Sequence, residues 1–178
     1  MTNPIIIDNF LDKDFFEKLK TLIIKSEFPW FKRQTMVDST TNNLGYFTHS
    51  FYNNNQAGSI YYNDYIIPIL DQLNAISVIQ VRANLTPSVF YIERGSAFHC
   101  DYIFESLSKT AILYLNSCNG GTEIKINNEI KSIKAEENKM LIFDSDVEHR
   151  GIVSTDADFR YIINFNYFEN NPRRKNET

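Results

Sequence analysis

The sequence is poor in the features that cross-link, span or tether a chain. It has two cysteines, Cys100 and Cys118, too few for a disulfide framework, so the thiols are expected to be reduced and the chain cytoplasmic. No apolar run approaches the roughly 20 residues that cross a bilayer. The opening stretch "MTNPIIIDNFLDKDFF" has no basic region followed by a long apolar segment. Neither a membrane span nor a signal peptide is therefore expected. Basic charge is not in excess: the formal net charge is −4, which gives no electrostatic footprint for a nucleic-acid backbone as main partner. No repeat and no linker interrupts the chain, and 178 residues suit one domain over 1–178 with a single substantial core.

What is present is apolar and aromatic. Hydrophobic residues make up 43% of the chain, with 14 Phe and 10 Tyr, too apolar and too aromatic for a disordered protein. "NPIIIDNF" reads as a strand, and "DKDFFEKLKTLIIKS" as an amphipathic helix with Asp12 at its N-cap and Phe15, Leu19, Leu22 and Ile23 on one face. "SIYYNDYIIPILDQLNAI" has Ile66, Leu70 and Leu73 at helical spacing, with Pro68 forcing either a kink or a late start. Between these segments "GYFTHSFYN" reads as a strand. Residues 1–76 are thus expected to form a helical support layer.

From Ser77 the texture changes. About eight short runs rich in β-branched and aromatic residues follow, from "SVIQVRANL" and "SVFYIE" to "KMLIFD" and "FRYIINFNYF", separated by turn residues. "KINNEIK" reads as a hairpin, with Asn127 and Asn128 suited to positive φ. A sandwich or barrel over about 77–168 is expected, with helices on one outer face and a polar tail at 169–178.

Histidine is scarce, with three in the chain, yet one stands in "FHCDY", two residues before an aspartate. On a strand, residues i and i+2 point the same way. His99 and Asp101 then project together, while Cys100 faces away and packs inertly. An imidazole beside a carboxylate makes two ligands for a first-row metal. His149, in "DVEHRGI", is the best third ligand, because His49 lies outside the β-rich half. Two histidines and one carboxylate on one face of a metal leave the opposite positions open, which suits Fe(II) oxygen chemistry. A structural His–Asp hydrogen bond is the ordinary alternative, and these residues alone leave both open.

Arg160 opens the strand "RYIINFNYF", on which Arg160, Ile162, Asn164 and Asn166 share one face. A buried guanidinium needs a partner, and a dicarboxylic acid bound near a metal would supply one. A strand-end arginine pointing into water is the other possibility.

In order and spacing, "FHCDY", "KTAILYLN", "GGTE", "FDSDVEHRG" and "FRYIINFNYF" resemble the prolyl 4-hydroxylase-like 2-oxoglutarate/Fe(II) dioxygenases, over roughly Arg82 to Phe168. The resemblance implies a mixed, mainly β fold: a double-stranded β-helix, or jelly roll, with N-terminal supporting helices. It implies Fe(II) held by His99, Asp101 and His149, and 2-oxoglutarate held by Arg160 with help from Tyr114 and from Tyr91. Dioxygen would be the oxidant and ascorbate the reductant. The activity implied is hydroxylation of an unactivated C–H bond, in a prolyl or other residue of a peptide or protein, or in a free amino acid or other small molecule. A non-catalytic jelly-roll binding protein is the reading from another class.

Two departures bear on the substrate. Prolyl-hydroxylating members often carry a bulky aromatic where this chain has Asn166, so Asn164 and Asn166 would make a more polar pocket. Nucleic-acid dealkylating relatives carry a second arginine at that same position. Arg82 and Asn84 in "VRANL" share a strand face and join the tentative substrate pocket. Arg150 is expected to point outward, and His49 to be a structural histidine. "DSTTNNLGYF" and "DYIFESLS" are candidate covers over the site.

Overall fold

A computed structural model describes residues 3–33, 45–88, 97–101, 108–127 and 129–170. Eleven strands and two α-helices are found among them: β1 Ile5–Ile7, α1 Lys13–Ile24, β2 Phe31–Arg33, β3 Tyr46–Asn53, β4 Gln56–Ala57, α2 Ile67–Gln72, β5 Ala75–Pro87, β6 Ser108–Tyr114, β7 Gly121–Ile126, β8 Glu129–Lys134, β9 Lys139–Asp144, β10 His149–Ile152 and β11 Phe159–Glu169. The large sheet runs β1-β9-β6-β11-β5-β3-β2, with β4 paired to β3, and the small sheet runs β10-β7-β8. Every pairing is antiparallel. The architecture is the expected jelly roll with supporting helices.

The central strands β6, β9 and β11 of the large sheet are largely buried on both faces. Along β11, Ile163, Phe165 and Tyr167 pack outward with α1 and α2 in one core, together with Phe16, Leu19, Ile23, Ile69 and Leu70. Ile162 faces inward to a second core with Ile112, Tyr114, Leu141 and Phe143, closed by Ile124, Ile126 and Ile133 of the small sheet. Burying a large aliphatic or aromatic side chain contributes roughly 1.5–3 kcal/mol, so the outer core is what holds the helices on the sheet. The exposed strand β8, "EIKSIK", carries the charges that keep an edge soluble and unpaired.

Local chemistry explains the boundaries. The Asp12 carboxylate accepts from the backbone N–H of Asp14 at 3.0 Å and Phe15 at 3.1 Å, capping α1. Pro68 stands in the first turn of α2, which follows a π-helical stretch Tyr62–Ile66; the helix starts late. All six described non-glycine residues with positive φ are asparagines, at 9, 54, 55, 74, 127 and 138. Asparagine tolerates that region because its short amide can bond locally. Asn54 and Asn55 close the β3–β4 hairpin, and Asn127 stands in the β7–β8 turn at φ 51°. Asn128 lies outside the described residues.

Residues 1–76 contribute more than helices. β1 lies at one edge of the large sheet, and β3 extends it beyond β5, with β2 at the far edge. His49 on β3 is buried, with Nδ1 at 3.0 Å from the Pro29 carbonyl and Nε2 at 2.8 Å from the Ser59 hydroxyl; its role is structural. Seven of the strand runs read after Ser77 are found as strands, β5 to β11, and "SVFYIE" falls mostly outside the described residues. Among the described residues, no helix is long and apolar enough to cross a membrane.

Candidate metal centre and cosubstrate pocket

The two sheets meet at a pair of histidines. His99, before β6, and His149, opening β10, form an isolated antiparallel bridge in which each backbone N–H donates to the other's carbonyl, at 3.0 and 2.9 Å. That reciprocal pair fixes the imidazoles side by side, with ring centroids 4.6 Å apart. Each ring is then oriented from behind. His99 Nδ1 lies 3.1 Å from the Ala97 carbonyl and His149 Nδ1 lies 3.1 Å from the Val147 carbonyl. An Nδ1–H donating to a carbonyl leaves the Nε2 lone pair free. Both Nε2 atoms face Asp101 Oδ1, at 3.8 and 3.7 Å. Burial holds His149 below the ordinary histidine value, so its ligand-competent neutral form prevails at pH 7.

Asp101 presents its two oxygens differently. While Oδ1 faces the imidazoles, Oδ2 accepts from the Asn164 amide at 3.0 Å, and the Thr110 hydroxyl lies 3.4 Å away. Thr110 also donates at 2.9 Å to the Asn166 amide oxygen, and the Asn166 amide nitrogen donates at 3.2 Å to the Asn164 oxygen. One oxygen is thus tied into a buried polar network and the other is left for a metal. The ligand atoms of His99, Asp101 and His149 all lie within 4.8 Å of one another. Two imidazole nitrogens and one carboxylate oxygen fit a first-row divalent ion such as Fe(II).

Phe98 anchors the segment that carries His99. Lys125 Nζ lies 4.3 Å from the centroid of its ring and the Arg150 guanidinium 4.1 Å. Arg150 is also paired with Glu123 at 2.6 Å, across the β10–β7 register. Arg150 points away from the cavity, as expected, and lies part-buried against the segment that carries His99. Cys100 faces away from the site and its thiol donates to the Asp146 carbonyl at 3.1 Å. Burial raises its pKa, which makes it a poor nucleophile.

Beyond the metal position a cavity runs between the sheets, lined by His99, Asp101, His149, Ile112, Ile162, Asn164, Thr122, Gly151 and Arg160, with Arg82, Asn84, Thr86 and Tyr46 on the β5–β3 side. Arg160 lies within the barrel and does not point into water: it is 5% exposed. Its Nε and Nη1 find no hydrogen-bond partner, and it has no ion-pair partner among the described residues. Burial pulls its pKa below the ordinary arginine value. Two glycines make room for it. A Cβ at Gly151 would lie 2.9 Å from Arg160 Nη2, and one at Gly120 would meet the Ile152 carbonyl at 2.7 Å and Arg160 Cδ at 3.3 Å. The buried Tyr114 hydroxyl donates to Thr122 Oγ1 at 2.7 Å. Burial pushes that hydroxyl up to about 12, with the Thr122 bond and the nearby Arg160 charge acting in the opposite direction.

The chain matches no protein-family model and no curated protein sequence. Solved structures do match. An oxidoreductase of the 2OG-Fe(II) oxygenase family from Burkholderia pseudomallei superposes with a TM-score of 0.71 at 7% identity, covering 92% of this chain and 84% of that one. A Pseudomonas putida prolyl-4-hydroxylase gives 0.67 at 14% identity, covering 94% and 92%. A Trichoplax adhaerens prolyl hydroxylase, in complex with a hypoxia inducible factor oxygen degradation domain peptide fragment, gives 0.63 at 17% identity, covering 98% and 87%. The fold is that of the 2-oxoglutarate/Fe(II) oxygenases. At these identities the likeness is one of fold, and the chemistry rests on the residues of this chain.

On that oxygenase fold, the structure brings His99, Asp101, His149, Arg160, Arg82, Asn84 and Asn164 to one cavity. Tyr114 is placed behind Thr122 at the Arg160 end. Asn166 is placed differently from its expected position: it is 2% exposed and backs Asn164 without lining the cavity. The face of β11 was legible, but its depth depends on what β6 lays across it. Tyr91 lies outside the described residues, as do most of the two candidate cover segments. Thr110, Thr122 and Gly151 were missed. Spacing of two from Ile112 and Tyr114 puts Thr110 on the inner face, a signal available in the sequence.

Proposed function

We propose that the protein is an Fe(II)- and 2-oxoglutarate-dependent dioxygenase that hydroxylates an unactivated C–H bond. The observation that carries this reading is Arg160: a buried guanidinium with two unpartnered donors, at the far end of a cavity whose other end is a His–Asp–His cluster. A buried unpaired charge is costly, and the distal carboxylate of 2-oxoglutarate would satisfy it with charge-assisted bonds. His99, Asp101 and His149 would hold the iron. Bound Fe(II) supplies activation of dioxygen, coupled to conversion of 2-oxoglutarate to succinate and carbon dioxide and to hydroxyl delivery to the substrate.

The protein's part is positioning. The carbonyls of Ala97 and Val147 fix the imidazole tautomers. Asn164, itself held by Asn166 and Thr110, holds Asp101 so that one oxygen faces the metal position. Ile112 and Ile162 wall the space between that position and Arg160, excluding water that would weaken the Arg160 interaction. Tyr114 and Thr122 complete a polar floor beside the guanidinium. Peptide or protein residues, prolyl among them, are the substrate class suggested by the resemblance. A free amino acid or other small molecule is the second reading, favoured by the polar wall of Arg82 and Asn84.

The test is succinate formation from 2-oxoglutarate with Fe(II) and ascorbate, in wild type, Asp101→Ala and Arg160→Ala. Turnover abolished by Asp101→Ala, with a raised apparent 2-oxoglutarate requirement in Arg160→Ala, supports the reading. Absence of 2-oxoglutarate binding to the metal-loaded wild type, measured by calorimetry, refutes it.

A further inference from the structure

The cavity holds a second cation that the cosubstrate does not need. Arg82 and Asn84 stand two residues apart on β5, both facing the cavity. Arg82 pairs in register with Asn164, the residue that holds Asp101, and Asn84 pairs with Ile162. Arg82 is therefore level with the metal ligands, one strand over. Asn84 lies between that level and Arg160, which pairs with Thr86.

Both side chains are incomplete. Arg82 Nε and the Asn84 amide oxygen are buried without a hydrogen-bond partner among the described residues. Arg82 has no ion-pair partner among the described residues, whereas Arg150, Lys109 and Lys139 on other strands are each paired with a carboxylate. A buried donor and a buried acceptor, on residues whose Cα atoms are roughly 6–7 Å apart along one strand face, ask for a ligand carrying both complements.

Charge balance points the same way. A divalent metal, Asp101, Arg160 and a dianionic cosubstrate sum to neutrality. Arg82, part-buried at the cavity wall, then leaves one positive charge without a counter-charge in that sum. A carboxylate on the substrate, placed against the guanidinium, pairs with it locally.

We propose that Arg82 and Asn84 form the substrate-recognition site and that the substrate is a carboxylic acid carrying an adjacent hydrogen-bond donor, as an α-amino acid does. Arg82 binds the carboxylate and Asn84 accepts from the amino group or amide N–H. The proposal rests on the oxygenase reading for the roles of the metal and Arg160. The same chemistry has two sources, a free amino acid and the C-terminal residue of a peptide.

The test measures binding under anaerobic conditions, where no turnover occurs. Calorimetry first titrates Fe(II)-loaded protein with 2-oxoglutarate, which reports on the oxygenase reading alone. The ternary protein is then titrated with the free L-amino acids, their carboxamides, and short peptides with a free or an amidated C-terminus. The expected result is saturable binding of at least one carboxylate and none of its amide. Arg82→Gln should weaken that binding by about tenfold to a hundredfold, the worth of a charge-assisted pair, and leave 2-oxoglutarate affinity unchanged. Arg82→Lys should recover part of the loss. Binding of free amino acids identifies the small-molecule source, and binding only of free-ended peptides identifies the peptide source.

Equal binding of acids and amides overturns the inference, as does failure of every carboxylate to bind. So does an Arg82→Gln protein that loses 2-oxoglutarate affinity instead. The wild-type comparison of acid with amide needs no variant, so a misfolded Arg82→Gln protein would not rescue the idea.

Discussion

Replacing Arg160 by methionine should make the protein more stable and useless at once. In the absence of cosubstrate, Arg160 is a buried charge whose Nε and Nη1 are unpartnered, packed through Cδ toward Gly120. Leaving a buried donor unsatisfied costs about 1–3 kcal/mol, more for a charged group. Methionine keeps most of the apolar stem and removes the donors and the charge. Arg160→Met should therefore gain about 1–3 kcal/mol without cosubstrate, or about 2–12 °C in Tm for a chain of this size. Wild type recovers the difference by binding: at 2-oxoglutarate a hundred times above Kd, linkage adds about 2.7 kcal/mol, and the variant gains none. Thermal melts with Mn(II) in place of iron, with and without 2-oxoglutarate, should show the variant's advantage shrinking or reversing when cosubstrate is added. A variant that melts well below wild type without cosubstrate would mean that Arg160 is already satisfied within the fold. A variant that retains the full cosubstrate shift would mean that Arg160 is not the anion site. Either result refutes the reasoning.

Three further outcomes are expected. Gly151→Ala places a Cβ 2.9 Å from Arg160 Nη2, so the guanidinium must move by about half an ångström; 2-oxoglutarate affinity should fall roughly tenfold by calorimetry, while Tm stays level or rises slightly as a glycine is lost from the unfolded chain. Asn164→Leu removes the closest donor to Asp101 Oδ2 and should cost about 10–100-fold in metal affinity, read by Co(II) titration of the absorbance bands; an unchanged affinity would show that Asp101 needs no support. Burial also lowers the pKa of His49. As the pH falls below about 6.5 the unfolded chain takes up a proton before the folded one. Stability should thus be full above that pH and decline below it, and His49→Asn should flatten the decline of Tm between pH 7.5 and 5.5.

The parts of this architecture that were legible in the sequence are those that depend on local periodicity. The inner face of β11, the Asp12 cap and the asparagine turns follow from rules spanning a few residues, whereas His99 and Asp101, expected on a strand, come together on a segment that has only an isolated bridge at His99 and a bend at Asp101. Long-range facts were not legible. That β3 joins the large sheet beside β5 depends on pairing across some 30 residues of sequence. Arg150 reads as pointing outward after a histidine, and it does, but only folding brings Phe98 and Glu123 against it. Asn166 shares a face with Arg160, but alternation assigns a face and not a depth. Its burial follows from Thr110 on β6, with which it pairs in register.

Register is what turns these residues into a site. Side chains alternate with a period of two, so a slip of one residue would send Arg160, Ile162 and Asn164 to the helix side and Tyr161, Ile163 and Phe165 into the cavity. Against that slip, β11 pairs without interruption from Phe159 opposite Pro87 to Asn166 opposite Gln80, and on its other side with β6. The first irregularity comes between Asn166 and Tyr167, immediately beyond the last residue of the Asp101 network. A bulge there can absorb a mismatch between strand and helix layer without turning a functional side chain over. The outer core reinforces the choice, because Ile163 and Phe165 are fully buried against the helices and could not be exchanged for Ile162 and Asn164 without burying an amide among apolar groups. The hydrophobic packing of the outer face therefore specifies the polar geometry of the inner one.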